Sequence, residues 1–478
     1  MSSLENALAM YSKKFSGFTK NSFKIQPSGK SSGIQSNDIV TINLPSNSIV
    51  SLKSFKTLFS AGIVTAQSAD NNQRCPAKAD AYFARVEVLV GGVSVSQGNS
   101  FYNVLRHAKD AVCGSKTNPV SGHPEIVRLQ STSSAIPLSN DSPEYFPGTN
   151  TTVGSQFIST TESPYCVDYW EGFLGTAAPD FLDLSLMGAV QVRITMAPNT
   201  ILTNSKGSEI VGTTTFSNNT AVDTFIGPGS ATAEYEIKNF YALIDCINLS
   251  DESLDAILAD QMSQQGYLPV PFKSYFAFQQ SHSGSSKFQV SSQSIDAVWS
   301  MYRPSNTVTG TGTVPTLRAH SVLSAPLPVS GYVVNPATTR RGSTVEKYVA
   351  PAFCFSTLGP ETTYQLQINN AYIPQAPLSG PEIASYTASN LPDHEYFPED
   401  LTMAEYMLTS NVACTRLDMP GSSDSRVASG IDSRSSNVMC SLNSTGTNFA
   451  GATFDSLIFI ETTCEMRISA GRSIVVVN

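Results

Sequence analysis

The sequence is short of charge. Asp, Glu, Lys and Arg make up 14% of its 478 residues, against roughly 25% in ordinary soluble domains. Ser, Thr, Asn and Gln carry the polarity instead. Charge is scarce where a surface is buried against partners, because each ion must be desolvated or paired. A β-rich protein with long Ser/Thr loops would show the same depletion. Net charge is −9 and the pI about 5.1. That balance argues against a general nucleic-acid binder, which needs a dense basic face to displace counterions, and no sequence-specific nucleic-acid binding is expected. Long apolar runs are missing too. None approaches the roughly 18 residues of a membrane span. The opening MSSLENALAMYSKK has no apolar core of a secretory leader, so a reducing, soluble compartment is expected. Eight cysteines are present (Cys75, Cys113, Cys166, Cys246, Cys354, Cys414, Cys440, Cys464), none in a Cys-x-x-Cys pair. Their even spread suits buried small hydrophobes, not a disulfide framework or a zinc knuckle.

Motifs that carry chemistry are absent as well. There is no G-x-S-x-G elbow, Walker A loop, H-E-x-x-H or G-x-G-x-x-G. The five histidines, His107, His123, His282, His320 and His394, lie far apart. His107 flanks the apolar stripe of a helix and reads as an ordinary surface residue. Asp393, His394, Glu395, Glu399 and Asp400 form the best candidate for acid–base or cation chemistry. They also sit before a helix, whose N-terminus acids complement, and that plainer role is preferred. Asn-x-Ser/Thr triplets begin at Asn140, Asn150, Asn218, Asn248 and Asn443 and are expected to be unused. No catalytic, cofactor-binding or metal-ligating residue is assigned, and no cofactor.

What is present is β-structure. Short β-branched and aromatic runs recur, among them DIVTINLP (38–45), ARVEVLVGGVSV (84–95), AVQVRITM (189–196), AEYEIKNFYALIDCI (233–247) and SLIFIETTCEMRIS (456–469). Many alternate apolar with polar residues, as a half-buried strand does; Val86, Val88 and Val90 face opposite to Glu87. Long Gly/Pro/Ser/Thr/Asn stretches at 114–165, 199–232, 303–345 and 415–453 read as loops. Helices are few. One is expected over Ser100–Val112, one over 251–263 capped by Ser250 and ended by Gly266, and one near 401–408. Residues 1–37 hold Lys13, Lys14, Lys20, Lys24 and Lys30 against Glu5 alone, and read as a basic arm that orders on contact with a partner, with Leu4, Ala7, Leu8 and Tyr11 at helical spacing.

The two halves echo each other. TINLPSNSIVSLKSF matches KFQVSSQSIDAVWSM, with Ile42 against Phe288 and Ile49 against Ile295. VEVLVGGVSV, turning at Gly91-Gly92, matches YQLQINNAYI, turning at Asn369-Asn370, residues that tolerate the positive φ of a two-residue hairpin. A helix should follow each hairpin, at 100–112 and near 401–408. A third echo sets VQVRITMA (190–197) against CEMRISAG (464–471). The reading is all-β: an N-terminal basic arm at 1–37, a first jelly roll at 38–250, a connecting helix at 251–268 and a second jelly roll at 269–478.

Three consecutive blocks carry a family resemblance: DIVTINLPSNSIVSLKSFKTLFSAG (38–62), ARVEVLVGG (84–92) and GNSFYNVLRHAKDAV (98–112). Leu44-Pro45-Ser46-Asn47, Ser54-Phe55, the hairpin from Arg85 and Tyr102-Asn103 resemble the double jelly-roll major capsid proteins of tailless icosahedral DNA viruses, the polinton-like virus and virophage type above all. The resemblance covers roughly the first 115 residues. It implies a non-enzymatic major capsid protein of the virion, assembled inside the host cell. A homotrimer would form a pseudo-hexagonal capsomer, with trimer–trimer contacts and penton and minor capsid proteins as partners. The arm would face inward, toward minor proteins or an internal membrane, and the long loops outward as towers. A carbohydrate-binding or adhesive β-sandwich protein is the alternative. A jelly-roll enzyme is a third reading, which would need clustered His/Glu ligands or facing carboxylates.

Overall fold

A computed structural model describes residues 18–46, 48–63, 73–74, 76, 78–96, 100–113, 163–205, 226–228, 234–249, 260, 262–282, 284–305, 351–353, 355, 358, 362–391, 403, 406–407, 410–419, 430–434, 440–444, 454–469 and 471–478. Strands with period-two burial build it. In β5 (Phe83–Val90), Val86, Val88 and Val90 are buried while Arg85 and Glu87 face outward. Such alternation lets one face pack while the other stays solvated.

Eight principal strands of the first half, with one short strand added at an edge, form two antiparallel sheets. β1 (Phe18–Ile25), β12 (Tyr235–Leu249), β3 (Ile49–Ile63) and β7 (Ser163–Val167) lie in that order, with β8 (Phe181–Asp183) added on β3. Opposite them lie β2 (Ile39–Asn43), β9 (Val190–Met196), β5 and β6 (Val93–Ser94). The second half repeats this connectivity. Its first sheet runs β13 (Tyr267–Ser281), β20 (Phe454–Ser469), β15 (Ile295–Pro304), β18 (Val412–Arg416), with β21 (Ser473–Val477) on β20. Its second runs β14 (Ser285–Phe288), β19 (Cys440–Asn443), β16 (Thr363–Ile368), β17 (Ala371–Ser379). In each half, leaving aside the added β8 and β21, the first, third, sixth and eighth strands share one sheet, and the others share the second. That is the jelly-roll order. A small sheet of β11 (Ile226–Pro228), β10 (Thr203–Ser205) and β4 (Gln73–Arg74) stands apart.

Two of the three sequence echoes fall on equivalent strands. Ile42 and Phe288 lie on β2 and β14, and Ile49 and Ile295 open β3 and β15. The hairpins are β5–β6 and β16–β17. Gly91 and Gly92 take φ +58° and +86°, and Asn369 takes φ +53°, as tight two-residue turns require. The third echo pairs strands that are not equivalent. β9 lies between β2 and β5, whereas β20 lies between β13 and β15, where β12 lies in the first half. Arg193-Ile194 and Arg467-Ile468 share only the polar/apolar alternation of half-exposed strands.

Other expectations need correction. Residues 18–25, placed in the arm, form β1, which pairs with β12 from Phe18↔Leu249 to Ile25↔Ala242. Its polar sequence hid it, because an edge strand exposes most of its side chains. β19 lies inside the stretch 415–453 read as a loop; Cys-Ser-Leu-Asn is too short to show a period. The helix after the second hairpin is α3 (Gly380–Asn390), started by a capping box of Ser379 and Glu382. Of 401–408 only Met403, Tyr406 and Met407 are described, in helical conformation. Of the 251–263 helix only Asp260 and Met262 onward are described, and Gly266 at φ +76° ends it. The helix from residue 4, most of the stretches 114–165, 199–232, 303–345 and 415–453, the acidic cluster at 393–400, and His123, His320, His394, Asn140, Asn150 and Asn218 lie outside the described residues. Asn248 and Asn443 lie in β12 and β19. Cys113, Cys246, Cys414 and Cys464 are buried and Cys166 is half-buried, as small hydrophobes would be.

The core of the first half centres on Phe59, whose ring meets those of Tyr82, Phe83, Tyr165 and Phe240. One continuous apolar cluster runs from these residues into Leu268, Phe272 and Trp299 of the second half, while a smaller cluster around Tyr364 and Ile458 fills the far side.

Candidate functional site: a buried charged seam between the sandwiches

α1 (Tyr102–Val112) follows β6. Tyr102, Val104, Leu105, Ala108 and Val112 bury its apolar face, as their spacing predicts. Its polar side is buried too: Asn103, Arg106 and Lys109 are each no more than 7% exposed. The second sandwich covers that side. Buried ions survive only when paired and hydrogen-bonded, and these are.

Glu171 is the hub. It lies just before α2 (Phe173–Thr176), and its backbone N–H donates to the Tyr102 hydroxyl at 3.1 Å. Arg106 Nη1 donates to Glu171 Oε1 at 3.1 Å. Lys109 Nζ donates to Glu171 Oε2 at 3.1 Å and to the Tyr275 hydroxyl at 3.1 Å. The Tyr275 hydroxyl donates to the same carboxylate at 3.0 Å. Lys109 also stands over the rings of Tyr275 and Trp299. Arg106 reaches Asp110 at 3.3 Å, and Lys78 closes on Asp110 at 3.1 Å. Lys109 and Glu171 belong to the first half, Tyr275 and Trp299 to β13 and β15. The network therefore bonds one sandwich to the other. Backbone bonds reinforce it: Ala178 N–H donates to Pro271 O at 3.0 Å, and Lys273 N–H to Thr176 Oγ1 at 2.9 Å.

Burial opposes charge on Lys109, Glu171 and Asp110, and their partners outweigh it. Burial pulls the Lys109 ammonium down, yet Glu171, Tyr275 and Glu461 together hold it well above the usual lysine range. Burial pushes Glu171 up, and Lys109 and Arg106 hold it below the usual carboxylate range. Asp110 is lowered in the same way by Arg106 and Lys78. The seam is thus ionised on both sides.

His107 was expected at the surface. Its side chain is 12% exposed and stacks flat on Phe353 at 3.7 Å, where the second half caps α1. Burial, the largest influence, lowers its pKa, and burial lowers His282 likewise. Linkage gives the sign. A histidine or carboxylate with a lowered folded pKa binds fewer protons folded than unfolded, so stability falls as pH falls. The melting temperature should begin to drop below about pH 6.5, where the unfolded histidines charge. It should drop more steeply below the usual carboxylate range, as Glu171 and Asp110 protonate. His107→Gln should shrink the first part and leave the second; an unchanged profile from pH 7 to 5 would contradict the buried histidine.

Among the described residues no group of three His, Cys, Asp or Glu could hold a metal ion. No helix among them is long and apolar enough to cross a membrane. The seam was invisible in the sequence, because Arg106 and Lys109 occupy the conventional polar face of an amphipathic helix. The only available signal was that α1 and the stretch 169–175 are both rich in aromatic or charged residues.

No protein-family model matches the chain, and no curated protein matches its sequence. Solved structures do match its fold. PBCV-1 VP54, fitted into a reconstruction of the virophage Sputnik, aligns over 97% of both chains at 10% identity and a TM-score of 0.54. The Faustovirus major capsid protein aligns over 95% of this chain and 91% of its own at 10% identity and a TM-score of 0.53. The structure of the Sputnik virophage aligns over 97% and 88% at 12% identity and a TM-score of 0.51. At such identities the likeness concerns the fold, and by fold this chain is an all-β double jelly roll of the kind found in the Faustovirus major capsid protein.

Proposed function

We propose that the chain is the major capsid protein of an icosahedral virus, acting by assembly and not by catalysis. The observation that carries this reading is the pair of eight-stranded jelly rolls from Phe18 to Val477, matched over nearly the whole length of a chain named as a major capsid protein. The units are taken as the two jelly rolls, with limits near 38–250 and 269–478 extended by β1, joined through the 251–268 connector. The buried seam supports their use as one rigid block. Three such blocks give six sandwiches, a pseudo-hexagonal homotrimer that tiles a shell. The open edge strand β17 supports lateral contact. Ala371, Tyr372, Gln375, Ala376 and Pro377 are exposed on it and none is charged; Pro374, Pro377 and the bulge against β16 guard this edge against strand addition, so the contact is one of uncharged side chains. Virion localisation, assembly in the host cell, penton and minor-protein partners, and an inner contact of residues 1–17 with protein or membrane belong to the same proposal.

The carbohydrate-binding alternative needs exposed aromatic platforms. Trp170 and Trp299 are both buried, and no observation favours it. Light scattering on the purified 51.1 kDa chain tests the proposal. A particle of three subunits, about 150 kDa, or a closed shell is expected for an obligate assembly. A monomer at micromolar concentration would overturn the trimer.

A further inference from the structure

A second buried charge cluster lies in the second sandwich; it shares Glu461 with the seam, where that carboxylate helps hold Lys109 charged, but its Lys273–Asp296 pair is its own. Lys273 on β13, Asp296 on β15, and Glu461 and Thr463 on β20 meet there. β20 runs between the other two strands. Lys273 faces Thr463 in the ladder. The pairing of β15 with β20 is irregular between Ile295 and Ala297, so Asp296 is the extra residue of a bulge and turns toward Lys273. Lys273, Asp296 and Glu461 are 8%, 2% and 8% exposed. Lys273 Nζ lies 2.6 Å from Asp296 Oδ2 and 4.0 Å from Glu461 Oε1. The Asp296 carboxyl is held from two more directions. Thr463 Oγ1 donates to Oδ2 at 2.6 Å and Ser294 Oγ donates to Oδ1 at 2.5 Å. Ser294 Oγ itself accepts from the Gly430 N–H at 2.8 Å, and Glu461 Oε2 accepts from Trp299 Nε1 at 3.3 Å.

We propose that Lys273 and Asp296 condense into an intramolecular isopeptide bond, with Glu461 carrying the proton. The chemistry needs an amine and a carboxyl carbon held in contact, away from water, with a carboxylate beside the amine. The fold sets Lys273 Nζ 2.6 Å from an oxygen of the Asp296 carboxyl and 4.0 Å from Glu461, all three buried, and such confinement turns a bimolecular condensation into an intramolecular one. The two buried Lys–carboxylate pairs differ in a telling way. At the seam the charged forms of Lys109 and Glu171 win. At Asp296 burial pushes the carboxyl up even against Lys273 and its hydrogen-bond donors, which favours the neutral acid, the better electrophile. A proton passing from the ammonium to the carboxylate removes two charges from a dry site.

The lone pair of Lys273 Nζ then forms a bond to Asp296 Cγ. Charge gathers on Oδ1, where the Ser294 hydroxyl stabilises it. Glu461 takes a proton from Nζ and returns it to Oδ2. The Cγ–Oδ2 bond breaks and one water leaves. Ammonium plus carboxylate becomes amide plus water, with no change of oxidation state and no further reactant. The bond ties β13 to β15 across β20 and restricts the unfolded chain as a disulfide would.

Denaturing mass spectrometry of the full-length chain tests this. The intact mass should be one water, about 18 Da, below that of the sequence after N-terminal processing is allowed for. A tryptic digest should show no cleavage after Lys273 and a branched peptide joining it to Asp296. Lys273→Arg, Asp296→Ala and Glu461→Gln should each restore the full mass. A wild-type chain at full mass and cleaved after Lys273 would make the contact an ordinary buried ion pair and overturn the proposal. A water loss mapped to any other residue would overturn it equally.

Discussion

Replacing Glu171 with alanine is expected to destabilise the folded chain by about 3–5 kcal/mol, the cost of breaking a buried ion pair from one side. Both carboxylate oxygens are in use, accepting from Arg106, Lys109 and Tyr275. Their removal leaves a guanidinium and an ammonium facing each other at a site where neither reaches water. Whole domains are stable by only about 5–15 kcal/mol, so the loss would take a large share. Glu171→Gln should cost less, since the amide oxygen still accepts one bond. Replacing Glu171 and Lys109 together with apolar residues of similar volume should cost less than Glu171→Ala alone, because the ammonium goes with the carboxylate while Arg106 keeps Asp110 and Asp80. Urea titration measures all three. A Glu171→Ala midpoint within about 1 kcal/mol of wild type would mean that the seam is hydrated and does not hold the sandwiches together.

Phe59→Ala should cost a similar amount, about 3–5 kcal/mol, by a different route. Phe59 is 3% exposed. Its ring lies 5.4 Å from Tyr165, 5.5 Å from Tyr82 and 5.7 Å from both Phe83 and Phe240. Truncation empties the centre of that group and forfeits ring–ring contacts worth about 0.5–1.5 kcal/mol each. The neighbours are pinned on β5, the short 3-10 turn just before it, β7 and β12 and cannot collapse into the void. Phe59→Leu should recover much of the loss. Phe23→Ala, on the exposed β1 edge at 45% exposure, should stay within about 0.5 kcal/mol of wild type. Equal effects at Phe23 and Phe59 would place the core elsewhere.

The condensation of Lys273 with Asp296 and the capsomer are separable. A trimer of full-mass chains would support assembly without the cross-link, and a monomer one water lighter would do the reverse.

Local pattern determined a great deal. The alternation in ARVEVLV fixes which side of β5 is buried, because successive side chains on a strand must point to opposite faces. Gly91-Gly92 marks a hairpin for steric reasons that hold in any fold. The repeat of β2–β3 in β14–β15 survives in the sequence because both pairs meet the same burial pattern. These signals were enough to read tandem jelly rolls. Tertiary structure decided the rest. β1 and β19 exist as strands because a neighbour offers them a ladder, not because their residues demand it. Arg193-Ile194 and Arg467-Ile468 look alike yet lie on different strands, since alternation identifies a strand without naming its partners. Above all, Arg106, Lys109, Glu171 and Asp296 are ordinary charged residues in the sequence. Their hydrogen-bond partners come from chain segments up to 167 residues away, and burial, pairing and shifted acidity are properties of that meeting and of no single segment.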